Sequence, residues 1–74
     1  MILMKISYDP KYDVLYLNFS ENKIVDTIEV DRGILIDHGE KGEMVGIEII
    51  NASKLIRSKP LQEIVIKIEE EAEA

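Results

Sequence analysis

The chain has no cysteine and no tryptophan, and only three tyrosines and one phenylalanine among 74 residues. Without cysteine, disulfide staples and thiolate metal sites are excluded. Positive charge is also scarce. Nine Lys and Arg stand against 15 Asp and Glu, a net charge of −6, and the basic residues are scattered rather than striped. Phosphate backbones and anionic lipid repel such a chain, so nucleic-acid and membrane-surface roles are disfavoured. No apolar run approaches the ~18 residues of a membrane-spanning helix. Met1-Ile2-Leu3-Met4 is too short for the apolar core of a signal peptide. These absences lead to the expectation of a soluble cytoplasmic protein. A chain of this size buries only about 60% of the surface its unfolded state exposes, so one core is marginal. With disulfides excluded, a homodimer or higher homo-oligomer is the expected support. The wealth of Ile, Glu and Lys suits a heat-adapted source.

What is present is alternation. Apolar residues recur with period two over residues 2–8, 14–19, 24–30, 34–38 and 43–50, separated by Asp9-Pro10, Ser20-Glu21-Asn22-Lys23, Asp31-Arg32-Gly33 and a loop at 39–42. Turns this short predict a mainly β, small α+β fold: an antiparallel meander of five or six strands with one short helix near the C-terminus. A meander register pairs Leu15 with Ile28, Leu17 with Asp26, Asp26 with His38, His38 with Glu43, Ile36 with Val45 and Ile34 with Ile47. It gathers Ile2, Met4, Ile6, Tyr8, Leu15, Leu17, Phe19, Ile24, Ile28, Val30, Ile34, Ile36, Val45, Ile47 and Ile49 on one face. A slip of one residue would scatter that set.

Asn51 or Ser53 is placed to cap a helix over residues 52–57, with Leu55 and Ile56 turned onto the sheet, and Pro60 ends it. Residues 1–60 form the expected domain, and residues 61–74 a C-terminal extension. In that extension Leu61, Ile64, Val65 and Ile68 fit a helical face, while Ile64, Ile66 and Ile68 alternate as in a strand. The β-branched content favours a strand over 61–68, followed by an acidic tail.

The second face is mixed. Leu3, Val14, Tyr16, Leu35, Met44, Gly46, Glu48 and Ile50 lie on it and are too apolar as a set for a wet surface, so they are the interface candidates. Tyr16 is the expected anchor, and Gly46, facing Leu35 in the meander register, would admit a close partner.

The sharpest chemical constellation is Asp26, His38 and Glu43, which the register sets side by side. A carboxylate beside imidazole raises its pKa and fixes its tautomer, and two carboxylates with one histidine can hold a divalent ion. The plain alternative, a cross-strand ion pair at the sheet edge, is favoured, because no nucleophile or glycine-rich anion nest accompanies the three. Asp37 and Glu48 are a second pair. The register places them about two pairs apart, too far to share a proton, and Glu48 then reads as a rim charge. No Ser–His or Cys–His arrangement is available, so neither catalysis nor a cofactor is expected.

Four spaced motifs carry a resemblance. Lys5-Ile6-Ser7-Tyr8-Asp9-Pro10, Asp13-Val14-Leu15-Tyr16-Leu17, Gly33-Ile34-Leu35-Ile36-Asp37 and Val45-Gly46-Ile47-Glu48-Ile49-Ile50-Asn51-Ala52-Ser53 resemble the small prokaryotic family called domain of unknown function 2283, over residues 4–56. Its members are often found beside small toxin-like proteins, so the resemblance implies an antitoxin-like role as the acidic partner of a small basic protein. It transfers no catalytic or binding residue. The expectation is therefore a non-catalytic protein–protein interaction module, with small-molecule or divalent-metal binding through Asp26, His38 and Glu43 as the alternative.

Overall fold

A computed structural model describes residues 4–57 and 62–69. Five strands form one open antiparallel sheet: β1 (Lys5–Asp9), β2 (Val14–Asn18), β3 (Asp26–Asp31), β4 (Ile34–His38) and β5 (Met44–Ile50). A single short helix, α1 (Ala52–Ile56), follows. The architecture is mainly β, as the alternation predicts, and four of the five strands begin or end within two residues of their expected bounds at both ends.

The strand order is β1-β2-β5-β4-β3. Two pieces of the expected meander are present, the β1–β2 hairpin and the β3–β4–β5 run. The link between them differs. β2 lies beside β5, pairing Leu15 with Ile49 and Leu17 with Ile47, instead of meeting Ile28 and Asp26 of β3. The physical reason is the length of the β2–β3 connection. Residues 19–25 separate the strands, and seven extended residues reach up to about 23–25 Å. Crossing three strand spacings needs only about 14 Å. The connection passes the end of the sheet, tied there by Phe19 N–H donating to the Val45 carbonyl and Val25 N–H to that of His38.

The β4–β5 register also departs from expectation. Ile34 pairs with Ile49 and Ile36 with Ile47, and a bulge beside Asp37 and His38 sets His38 opposite Met44. Val45 is the extra residue on β5, and it is buried. The pairing slides by two residues from Ile34 to Asp37 and by one at His38, which preserves the inward set while changing every cross-strand neighbour. A second irregularity separates Glu29 from Asp31 at the β3 edge.

One face carries Ile6, Tyr8, Leu15, Leu17, Ile28, Val30, Ile34, Ile36, Val45, Ile47 and Ile49, as expected from the period. Among the described residues, the buried apolar side chains are Leu15, Val45 and Ala52 alone. Residues 62–69 carry neither helix nor strand. Of the expected strand over 61–68, residue 61 lies outside the described residues, as does the acidic tail beyond Glu69.

Helix α1 is anchored from a distance. Asn51 has a left-handed backbone, φ 55°, and its side chain caps nothing. Asp13, in the β1–β2 turn and itself at φ 56°, takes that role instead. Its Oδ1 accepts from Ser53 N–H at 3.0 Å, and its Oδ2 from the Ser53 hydroxyl at 2.8 Å. Its carbonyl accepts from Ala52 N–H at 3.0 Å. Leu55 and Ile56 are exposed rather than turned onto the sheet, because this tether buries Ala52 and Ser53 instead. At the same end Gly33 adopts φ 76°. A Cβ there would lie 3.0 Å from the Ile50 carbonyl oxygen and 3.1 Å from Leu55 Cδ1, so glycine answers both the conformation and the space.

Candidate functional site

The mixed face holds a polar cluster built across four strands. The register sets Thr27, Asp37, Gly46 and Asn18 in one row, with Leu35, Glu48 and Tyr16 in the next. Asp37 is only 2% exposed. Its Oδ1 accepts from the Thr27 hydroxyl at 2.6 Å, and its Oδ2 from the Tyr16 hydroxyl at 3.1 Å. A buried carboxylate is tolerated when hydrogen bonds replace its water, and these two donors supply that replacement.

Gly46 makes the geometry possible. Its missing Cβ would stand 2.7 Å from the Tyr16 hydroxyl oxygen, 3.0 Å from Cζ and 2.8 Å from the Leu17 carbonyl oxygen. The tyrosine ring therefore lies directly over Gly46 to reach Asp37. The expected close approach at Gly46 is real, but Tyr16 of the same chain makes it, and the cross-strand neighbours are Asp37 and Asn18 rather than Leu35.

Glu48 joins the cluster, contrary to the two-pair separation expected from the sequence. The two-residue slide between β4 and β5 brings it within hydrogen-bonding reach of Asp37. Burial raises the Glu48 pKa above its ordinary value, and the charge and hydrogen bond of Asp37 raise it further. Burial likewise raises the Tyr16 phenol. Asn18 opposes that shift through a hydrogen bond, while the Asp37 hydrogen bond and the charges of Asp37 and Glu48 add to it. Each hydroxyl spends its one proton on Asp37, which leaves neither Tyr16 nor Thr27 poised as an acid.

The remaining interface candidates surround this cluster. Val14 and Leu35 are half-buried, Met44 and Ile50 are exposed, and Leu3 lies outside the described residues.

Asp26, His38 and Glu43 are not brought together as a triad. Asp26 does face His38 across β3 and β4. Glu43, however, folds back into its own loop. Its carboxylate lies against Gly39 and accepts from Lys41 N–H and from Asn22 Nδ2, each at 2.9 Å. A hydrogen bond from its own N–H lowers its pKa most, followed by that from Asn22; burial opposes them, and the Lys41 N–H and charge lower it further. Among the described residues no three His, Asp or Glu side chains are grouped to hold a metal ion. His38 Nδ1 is buried without a hydrogen-bond partner. A hollow of about 380 Å³ lies beside this loop, away from the Asp37 cluster, and Asn22, Lys23, Glu40, Lys41 and Glu43 line it.

A second constellation, Tyr8–Asp13–Ser53, was not legible as such. The Tyr8 hydroxyl donates to Asp13 Oδ1 at 2.6 Å. That bond lowers the Asp13 pKa most, with the Ser53 bonds and the Lys54 charge adding and burial opposing, while the same bond raises Tyr8. The signal available was Asp13 between Tyr12 and Val14, where a turn needs a residue tolerant of positive φ.

Both constellations fall within the span that a known family matches. The sequence profile described as "Protein of unknown function (DUF2283)" covers residues 5–53. The chain belongs to this family. It is 48% identical over 52 residues to "Uncharacterized protein MJ0789" of Methanocaldococcus jannaschii, an alignment covering 70% of this chain and 44% of that protein. The chain therefore spans less than half the length of that relative. No solved structure matches. The family span ends at Ser53, the residue that Asp13 holds, so it encloses the sheet and its tether and leaves out residues 54–74.

Among the described residues, no helix is long and apolar enough to cross a membrane.

Proposed function

We propose that this chain is a non-catalytic, cytoplasmic interaction domain that completes its core by associating with a second copy. One observation carries the reading: among the described residues the five-stranded sheet buries only Leu15 and Val45 of its apolar side chains, and the helix adds Ala52. Stable domains pack two layers against each other, and here the second layer is missing from most of the apolar face. Ile28 and Val30 on that face remain 46% and 54% exposed. A second copy laid on it supplies the missing layer at the ~10 Å spacing of packed sheets. The polar cluster on the opposite face satisfies its own hydrogen bonds, so the contact is assigned to the apolar face. Of the mixed-face candidates, Tyr16, Gly46 and Glu48 then serve as internal packing around Asp37.

Sedimentation equilibrium of the full chain from low to high micromolar concentration tests this reading, together with melting temperature over the same range. A dimer whose melting temperature rises with concentration is the expected result. A folded monomer with a concentration-independent melting temperature would overturn it.

A second reading draws on charge. Asp26, Glu29 and Asp31 line the exposed β3 edge, on a molecule of net charge −6. This suits a small basic protein as partner, in the manner of an antitoxin. Capture of a stoichiometric basic protein that is released by salt, and lost when Asp26, Glu29 and Asp31 are replaced by Asn, Gln and Asn, supports it. Binding indifferent to those replacements counts against it.

A further inference from the structure

We infer that residues 62–69 are a donated strand, paired along β1 of a second copy, so that each sheet gains a sixth strand by reciprocal exchange. The inference rests on the self-association proposed above and specifies its means.

The donor is the segment Gln62-Glu63-Ile64-Val65-Ile66-Lys67-Ile68-Glu69. Its four apolar residues are all exposed, with Val65 at 77% and Ile68 at 90%, and it carries no ladder of its own. Alternation places Ile64, Ile66 and Ile68 on one side and Glu63, Val65, Lys67 and Glu69 on the other. That is the pattern of β1 itself, where Ile6 and Tyr8 share the apolar face while Lys5, Ser7 and Asp9 share the opposite one. Added beside β1, the segment would extend the apolar face with three isoleucines and set its acids and lysine among Lys5 and Asp9.

The acceptor is chosen by comparing the two free edges that the strand order leaves, β1 and β3. β3 presents Asp26, Glu29 and Asp31 and is interrupted between Glu29 and Asp31. Charge and irregularity are devices that discourage strand addition, and Glu63 and Glu69 would be repelled there. β1 is regular from Lys5 to Asp9 and carries a lysine. It also lies where the segment arrives: Tyr8 lines a shallow hollow with Gln62, Glu63 and Ile64.

The occupant is a second copy because the chain leaves its own segment uncovered despite that proximity. Ile64, Val65, Ile66 and Ile68, all exposed, are the surface that pairing beside β1 would bury. Reciprocal exchange about a two-fold axis uses this surface twice.

The test uses the full chain. Sedimentation equilibrium is run on wild type and on Ile66→Pro, which removes a ladder N–H from the middle of the donated strand. A sample mixing isotope-labelled and unlabelled wild-type protein is then examined for nuclear Overhauser contacts between chains. The expected results are a wild-type dimer, interchain contacts from Ile66 methyls to Ile6 or Tyr8, and a dissociation constant raised ~100-fold by Ile66→Pro. An Ile66→Pro dimer as tight as wild type overturns strand donation while leaving self-association intact. So do contacts from Ile66 to β1 that are confined to one chain. A monomeric wild type overturns both. The interchain contacts are read on unsubstituted protein, so the result stands even where the proline variant folds poorly.

Discussion

The two faces of the sheet meet the problem of a single layer in opposite ways. On the mixed face, Tyr16 lies over Gly46, and it and Thr27 hold Asp37 with Glu48 alongside. A tyrosine ring and a hydrogen-bonded network serve there as a local cover, and Asp37 ends up more buried than Leu15 of the core. The apolar face has more hydrophobic surface and less protection, since Ile28 and Val30 at the β3 edge have no layer above them. Polar networks are directional and can be closed by a few well-placed groups. Hydrophobic burial needs area, and area is what a chain of 74 residues lacks.

That contrast can be broken in several places. The largest effect is expected from Ile47→Asp, at the centre of the apolar face between Leu17 and Ile36. An unpaired charge there opposes both folding and association, with a loss of more than ~3 kcal/mol. Chemical denaturation would show a protein largely unfolded at micromolar concentration. The next effect falls on the other face. Gly46→Ala drives a methyl into the Tyr16 ring and the Leu17 carbonyl, so a loss of about 1–3 kcal/mol is expected, with solvent access to the tyrosine restored in its fluorescence. Tyr16→Phe leaves the ring but removes one of the two hydroxyl donors to Asp37. It should cost about 1–2 kcal/mol and leave the oligomeric state unchanged, since the proposed contact uses the opposite face.

The smallest change is a gain. The folded pKa of Glu48 lies above its ordinary value of 4.5, so its contribution to stability is complete below that value and is lost as the pH rises through the folded pKa. Glu48→Gln keeps a neutral donor beside Asp37 at every pH. Its melting temperature should exceed that of wild type by a few degrees at pH 7, with the advantage vanishing toward pH 4. Asp13 follows the reverse rule, because its pKa is lowered. Its stabilisation is present above its ordinary value of 3.8 and disappears as the pH falls through the folded pKa. A scan of melting temperature against pH separates the two groups by the sign of their slopes.

Much of this architecture is legible in the residues. The period of two assigns Ile6, Leu15, Leu17, Ile34, Ile36, Ile47 and Ile49 to one face, because inward and outward positions are set by local backbone geometry. Strand neighbours are less legible. Turn length fixes them only where the connection is too short for an alternative, as in the Asp31-Arg32-Gly33 turn. The seven residues after Asn18 permit a hairpin or a crossing, and nothing local chooses between them. The Val45 bulge is hidden for a related reason. A slide of two residues keeps Ile34, Ile36, Ile47 and Ile49 on the same face, so hydrophobic pattern does not detect it, yet it decides whether Glu48 reaches Asp37. The Asp13–Ser53 tether spans 40 positions and could be read only after β2 had been placed beside β5.

The crossing between β2 and β3 has a consequence for the order of events in folding. β2 sits near the middle of the sheet, but its second neighbour is the last strand of the five to be synthesised. The first hairpin must therefore wait, with one edge open, until β5 and the start of α1 have left the ribosome. Contacts so far apart along the chain slow folding and lengthen exposure of unpaired edges. A chain interrupted before Met44 would hold two separate hairpins, β1–β2 and β3–β4, with no strand between them to join the halves. The sheet joins when β5 pairs with β2, and the Asp13–Ser53 contact then ties the first turn to the start of α1.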